Sequence, residues 1–202
     1  MKTSTLQRGF SMIEVAITLT LVALLLFAVM PDVTAMAANS RIRASAESYM
    51  QGIQRARNEA LRSNQIVTFW LATPNASGVL DNTCALAASA KAWVVSVNDP
   101  STKCATASSA STDPMIVERA VGASTSGSVT VAALQIDGTT AASSVAFDGF
   151  GRVTTATAIS TIDLDNATTG NNFRPLRIQI ARGGSLRLCE PRVTNVNDPR
   201  RC

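Results

Sequence analysis

Glu14 is the only charged residue in an otherwise apolar run from Phe10 to Met30. A charge at the centre of a membrane helix costs about 2.5–3.5 kcal/mol, so it is retained where a partner of opposite sign awaits it. Other chemistries are scarce. The 202 residues contain no histidine, which excludes a Ser-His-Asp or Cys-His pair, an imidazole base and an H-E-x-x-H zinc helix. No GxSxG, Walker A or dinucleotide-binding glycine pattern occurs. Asp148, Asp163 and Asp165 stand in turn-like contexts. The string Asp163-Leu164-Asp165-Asn166 with Gly170 fails the spacing of an EF-hand and lacks its closing Glu. The sequence therefore predicts no enzyme, no cofactor and no metal site.

Cys84, Cys104, Cys189 and Cys202 form an even set without CxxC spacing, which predicts disulfides and an oxidising compartment. Four cysteines allow three pairings. The local one, Cys84 with Cys104 and Cys189 with Cys202, closes the two shortest loops and is preferred, although sequence does not fix connectivity. Arginine is the remaining chemical group. The net charge is only +4, but Arg174, Arg177, Arg182, Arg187, Arg192, Arg200 and Arg201 gather in the last 29 residues against Glu190 and Asp198. Such a patch suits a solvated surface or a contact to phosphates without base readout.

These groups need elements to hold them. The run 10–30 has about the length that a helix needs to cross a bilayer. Lys2 and Arg8 precede it with no acid between them, so the positive-inside rule keeps residues 1–9 cytoplasmic and sends the rest outside. Beyond Pro31, Ile42, Ala46, Tyr49, Ile53, Ala56 and Ala60 recur at alternating steps of four and three. The spacing predicts one long helix over 11–63, kinked near Pro31, with an amphipathic second half laid on the domain. Period-two patterns then predict strands at 66–72, 92–97, 115–119, 129–136, 144–147, 159–164, 175–182 and 185–190. Loops rich in Ala, Ser, Thr and Gly fall at 105–112, 122–128 and 138–143. The fold class is α+β, a helical spine packed on antiparallel sheets.

The last hairpin is legible in register. A two-residue Gly183-Gly184 turn would set Ile180 opposite Arg187, mixing apolar and charged faces. A three-residue Arg182-Gly183-Gly184 loop sets Ile180 opposite Leu186, Gln179 opposite Arg187 and Ile178 opposite Leu188. The second register buries Leu176, Ile178, Ile180, Leu186 and Leu188. It puts Arg177 and Arg187 outside and Arg182 at the tip.

Arg8-Gly9-Phe10-Ser11-Met12-Ile13-Glu14 resembles the processing site of type IV prepilins and type II secretion pseudopilins: a basic leader, Gly, an apolar aromatic, and Glu five positions into the mature chain. The resemblance implies cleavage between Gly9 and Phe10 by a prepilin peptidase, N-methylation of Phe10, and a role for Glu14 in neutralising the terminal amine of a neighbouring subunit. Ala56-Arg57-Asn58-Glu59-Ala60, leading straight into a strand, resembles the GspH/FimT branch of pilin-like proteins, as does the turn Phe147-Asp148-Gly149-Phe150-Gly151-Arg152.

That branch implies a type IV pilin-like fold and a division of the chain into a leader 1–9, a transmembrane helix 10–30, an amphipathic half-spine 31–64 and a β domain 65–202. It implies a single-pass inner-membrane protein with a periplasmic domain that then enters a filament at the cell surface, with other major and minor pilins as partners. Two assemblies stay open: a type IV pilus, where the chain is a minor pilin helping to prime assembly near the tip, and the GspH-type pseudopilus of type II secretion. Some FimT proteins also carry a C-terminal Gly-Arg-x-Arg motif for DNA uptake. This chain has Gly184-Ser185-Leu186-Arg187 there, so the first Arg is absent, and Arg177, Arg182, Arg187, Arg192, Arg200 and Arg201 are its candidate DNA contacts.

Overall fold

The computed structural model of the chain describes residues 10–121, 128–168, 170 and 172–202. The side chains of residues 27–32 lie outside that description, as do Gly9, the leader and most of the loop expected at 122–128. Helix α1 runs Met12–Ser63, and the kink expected near Pro31 falls among the residues whose side chains are not described. The chain divides into two compact units, Met1–Ala37 and Ala38–Cys202, so the boundary lies inside α1.

In the first unit α1 opens on a cap. Ser11 Oγ accepts the Ile13 backbone N–H at 3.3 Å, and the Ser11 carbonyl accepts those of Glu14 and Val15. These bonds satisfy donors that a helix start leaves unpaired. The two hydroxyls farther along bond backward, Thr18 to the Val15 carbonyl and Thr20 to that of Ile17, at 2.9 and 2.8 Å. Their polarity is thereby absorbed within the helix.

In the second unit α1 carries a buried stripe. Ile42, Ala46, Tyr49, Ile53, Ala56 and Ala60 are each 0% exposed, the positions that the three-four periodicity selects. Two antiparallel sheets complete the core with them. The first contains β1 (Val67–Thr73), β2 (Ala85–Leu86), β3 (Ala92–Ser96), β4 (Ile116–Val121) and β6 (Ser144–Phe147) in the order β2-β1-β3-β4, with β6 also paired to β1. The second has the order β5-β7-β8-β9, from β5 (Val129–Leu134), β7 (Thr161–Asn166), β8 (Leu176–Ile180) and β9 (Leu186–Cys189). Phe69, Val95, Val145, Ile162, Leu164 and Ile178 from the two sheets join the helix stripe in one cluster.

Close approach of helix and sheet depends on Gly52, where a Cβ would stand 2.8 Å from ring atoms of both Phe69 and Trp93. Tyr49 donates its hydroxyl to the Ala90 carbonyl, and the Trp93 indole donates to Ser48 Oγ. Asn39 fastens the chain ahead of β8, donating to the Asn172 carbonyl and accepting the Arg174 N–H.

Eight strands lie where period-two patterns place them, with altered ends. Strand β7 starts at Thr161 rather than 159: the Ile159 N–H bonds the Ser144 carbonyl of β6, outside the ladder that β7 forms with β5. Strand β2 was not expected: two residues carry no readable period, and it exists only through pairing with Ala72 and Thr73.

Candidate functional site

Three places hold the side chains that the sequence singles out. The first is the start of α1. Glu14 sits in its first turn, where the positive end of the helix dipole favours a carboxylate. It is exposed and forms no ion pair among the described residues. Around it Met12, Ile13, Ile17, Leu21, Leu24 and Leu25 are 54–93% exposed. Apolar groups therefore face outward on every side of this stretch, and only Glu14 carries charge. Among the described residues, no helix is long and apolar enough to cross a membrane. In the sequence the apolar run continues through Phe27, Ala28, Val29 and Met30.

The second place joins the far end of α1 to two glycine turns. Arg57 donates through Nε to the Gly151 carbonyl at 3.1 Å. Gly151 and Gly184 have φ of +73° and +78°, a region that favours glycine. A Cβ at Gly151 would reach 2.9 Å from Arg57 Nε, and one at Gly184 would collide with the Gly151 carbonyl oxygen. The turn around Gly151 is built by Asp148, whose carboxylate accepts the Phe150 and Arg152 N–H groups at 2.9 Å and pairs with the Arg152 guanidinium at 3.0 Å. The Arg152 backbone bond is the main reason its carboxyl lies below the ordinary range. On the other face of the helix end, Glu59 is 8% exposed and pairs with Arg62, whose hydrogen bond holds the Glu59 carboxyl below the usual range against the effect of burial. The reach of Arg57 across 94 residues had no signal beyond the glycines themselves.

The third place is the basic end. Its hairpin has the three-residue loop: Ile180 faces Leu186, Gln179 faces Arg187 and Ile178 faces Leu188. Disulfides join Cys84 to Cys104 and Cys189 to Cys202. The second folds the tail back, so that Glu190 N–H bonds the Arg200 carbonyl and Arg187 donates to the carbonyls of Pro199 and Arg201.

The arginines expected to act together separate into two groups. Arg177, expected outside, is half-buried because β7 sets Asp163 directly opposite it; the two form a bidentate pair at 2.5 and 2.8 Å, which raises the guanidinium pKa. Arg192 donates to the Gly170 and Phe173 carbonyls and approaches Asp165 at 3.4 Å. Arg200 pairs with Asp198 and Glu190. By contrast Arg182, at the loop tip, and Arg187 and Arg201 are exposed and form no ion pair among the described residues. The structure thus breaks the six-arginine patch into three cations paired with carboxylates and three without an ion pair among the described residues, of which Arg187 is engaged by the tail carbonyls.

A family model described as Type II transport protein GspH matches residues 45–184. Among solved structures, two crystal structures of the type IV minor pilin FimU of Pseudomonas aeruginosa strain PAO1 are similar. One is 12% identical with a TM-score of 0.46 and covers 77% of this chain and 96% of that chain. The other is 14% identical with a TM-score of 0.43 and covers 76% and 99%. No curated protein matches in sequence. The family match starts on the buried face of α1, takes in strands β1–β8 and the meeting of Arg57, Gly151 and Gly184, and spans more than half of the chain: the protein belongs to the GspH family of pilin-like proteins.

Proposed function

We propose that the protein is a minor pilin, a structural subunit that enters a type IV pilus near its tip and helps to prime assembly. The observation that carries this reading is Glu14. It is a lone carboxylate in the first turn of a helix that is apolar on all sides, and it has no counter-ion among the described residues of its own chain. In this reading the run 10–30 inserts in the inner membrane after residues 1–9 stay cytoplasmic. A prepilin peptidase cuts between Gly9 and Phe10, and the new Phe10 amine of one subunit meets Glu14 of another. A wrong axial offset leaves both charges unpaired in a medium of low dielectric, which makes the pair a register device. The GspH-type pseudopilus of type II secretion uses the same chemistry, and the free arginines support contact with DNA only weakly because half of the patch is neutralised.

The test separates maturation from assembly. Gly9→Val is expected to accumulate as unprocessed membrane precursor, and Glu14→Ala to be processed normally yet be lost from sheared filaments. N-terminal sequencing and filament immunoblots read the two steps. Normal incorporation of Glu14→Ala overturns the role given to Glu14. Incorporation that depends on the secretion assembly rather than on the pilus moves the protein to the pseudopilus.

A further inference from the structure

Both disulfides lie in the second unit, but their sulfurs stand in different surroundings. Cys84 and Cys104 are 1% and 0% exposed and pack in an apolar cluster with Ala72, Leu80, Ala92, Val94 and Ile116. The chain beside them is fastened as well: the Thr102 N–H bonds the Cys84 carbonyl, Arg119 donates to the Cys104 carbonyl, and the Ala105 N–H reaches Asn82 Oδ1. In the other bridge Cys189 is buried at the end of β9, whereas Cys202 is only half-buried. Disulfide exchange begins when a thiolate attacks one sulfur, so access governs which bridge reacts. Cations stand beside both bridges, Lys103 and Arg119 at the first and Arg187 and Arg201 at the second. Access, not charge, therefore separates them.

The segment that Cys202 ends is held lightly. None of residues 190–202 is buried. Among the described residues, those from Val193 to Cys202 reach the chain before Glu190 only through the bridge and through Arg187, which donates to the Pro199 and Arg201 carbonyls. Their other bonds are to Glu190 or among themselves: the Glu190 N–H bonds the Arg200 carbonyl, and Arg200 pairs with Glu190 and Asp198. Arg192 is held separately by the Gly170 and Phe173 carbonyls, so the loose stretch starts after it. A segment without buried apolar contacts, held by surface hydrogen bonds that water can replace, belongs to the least stable part of a fold. The covalent bridge is what keeps it in place.

From this we infer that residues 193–202 form a redox-releasable strap: Cys189–Cys202 is the exchangeable disulfide of the domain, and Cys84–Cys104 is sealed. The co-reactant is a dithiol. One of its thiolates attacks Cys202 Sγ, the Cys189–Cys202 bond breaks, and Cys189 leaves as a thiolate that takes a proton from water. The second thiol of the reagent gives up its proton and attacks the mixed disulfide, and Cys202 leaves as a thiolate that is protonated in turn. The dithiol ends as its own disulfide and both cysteines end reduced. Opening lets the strap go, frees the Arg187 guanidinium from the two carbonyls and uncovers the end of β9. Closure is the same exchange run backward from an oxidised partner, aided by a sequence separation of 13 that keeps Cys202 concentrated around Cys189. The inference rests on the second unit alone and not on the part given to Glu14.

The test treats the full chain in detergent micelles with graded dithiothreitol and traps free thiols with iodoacetamide for peptide mapping. Cys189 and Cys202 are expected to be alkylated at a reductant concentration at least about tenfold below the one that opens Cys84–Cys104, since exchange follows access. At that point hydrogen exchange is expected to rise across 190–202 and to stay unchanged at Ile180, whose N–H bonds the Ser160 carbonyl, while tryptophan fluorescence stays native. Cys189→Ser with Cys202→Ser is expected to show the same exchange pattern without reductant. Opening of both bridges together, opening of Cys84–Cys104 first, or opening of Cys189–Cys202 only where fluorescence shows unfolding overturns the assignment of the exchangeable bridge. Continued protection of 190–202 after opening, or in the double-serine variant, overturns the strap. Glu14→Ala is expected to leave all of these readouts unchanged, so a filament defect in that variant and a failure of strap release report separately on the two readings.

Discussion

Between Met12 and Leu26, α1 turns its apolar side chains outward on every face, whereas from Ile42 to Ala60 the same helix buries a continuous apolar stripe. The second stretch needs no help from outside: two sheets cover one stripe, and Arg43–Glu47 and Arg55–Glu118 pairs occupy the wet faces. The first stretch has nothing in the described chain to cover it. One element therefore carries two kinds of stability, one supplied by the fold and one left to the surroundings. Glu14, alone and charged, lies in the part that the surroundings must complete.

Matched substitutions test this contrast most directly. Ile53→Ala removes a fully buried side chain and is expected to cost about 2–5 kcal/mol in thermal or denaturant unfolding of the second unit. Ile17→Ala makes the same chemical change at a position 54% exposed and is expected to leave that transition where it was. Equal losses would break the contrast.

Covalent closure is the next largest effect, and it too belongs only to the second region. Cys189 and Cys202 close a loop of sequence separation 13, worth about 3 kcal/mol on chain-entropy grounds. Replacing both by serine is expected to lower the unfolding midpoint while peptide mapping still finds Cys84 joined to Cys104. A link from Cys84 or Cys104 to the tail in the native protein would refute the pairing.

The smallest effect is electrostatic. Asp137 and Asp198 are each held at about 2 against an ordinary 3.8, chiefly by the side-chain hydrogen bonds of Thr140 and Arg200 respectively. The folded protein therefore binds fewer protons than the unfolded chain below 3.8. The stability these carboxylates contribute is present above 3.8 and is lost as pH falls toward about 2. Asp137→Asn with Asp198→Asn is expected to flatten the fall in melting temperature over that window. An unchanged slope would remove these groups from the account. Both carboxylates are surface groups, so the change is slight.

How much of this could be read from residues alone depends on whether the information was local. The stripe from Ile42 to Ala60 follows from helical period, and the hairpin register follows from keeping Ile178, Ile180, Leu186 and Leu188 on one face. Long-range partners carried no such signal. Arg177 looked solvent-facing within its own hairpin, but the pairing of β7 with β8 placed Asp163 opposite it. The basic patch was a sum over sequence, and the fold divided that sum by supplying Asp165, Glu190 and Asp198 to some members, while Arg182 has no ion pair among the described residues. Arg57 is similar. Its place in the motif was visible, but its grip on Gly151 depends on two turns meeting in space.

The folded-back tail has a consequence for how the second sheet meets other copies of the protein. Strand β9 ends its sheet, and a terminal strand is a template onto which a foreign strand can add. The Cys189–Cys202 bridge, the parallel pairing of Glu190 with Arg201 and the Arg187 bonds to the Pro199 and Arg201 carbonyls lay the last residues alongside that margin. The tail thus works as a guard rail. While it is bridged, the last residues stay beside the end of β9 and cover part of one margin of the domain.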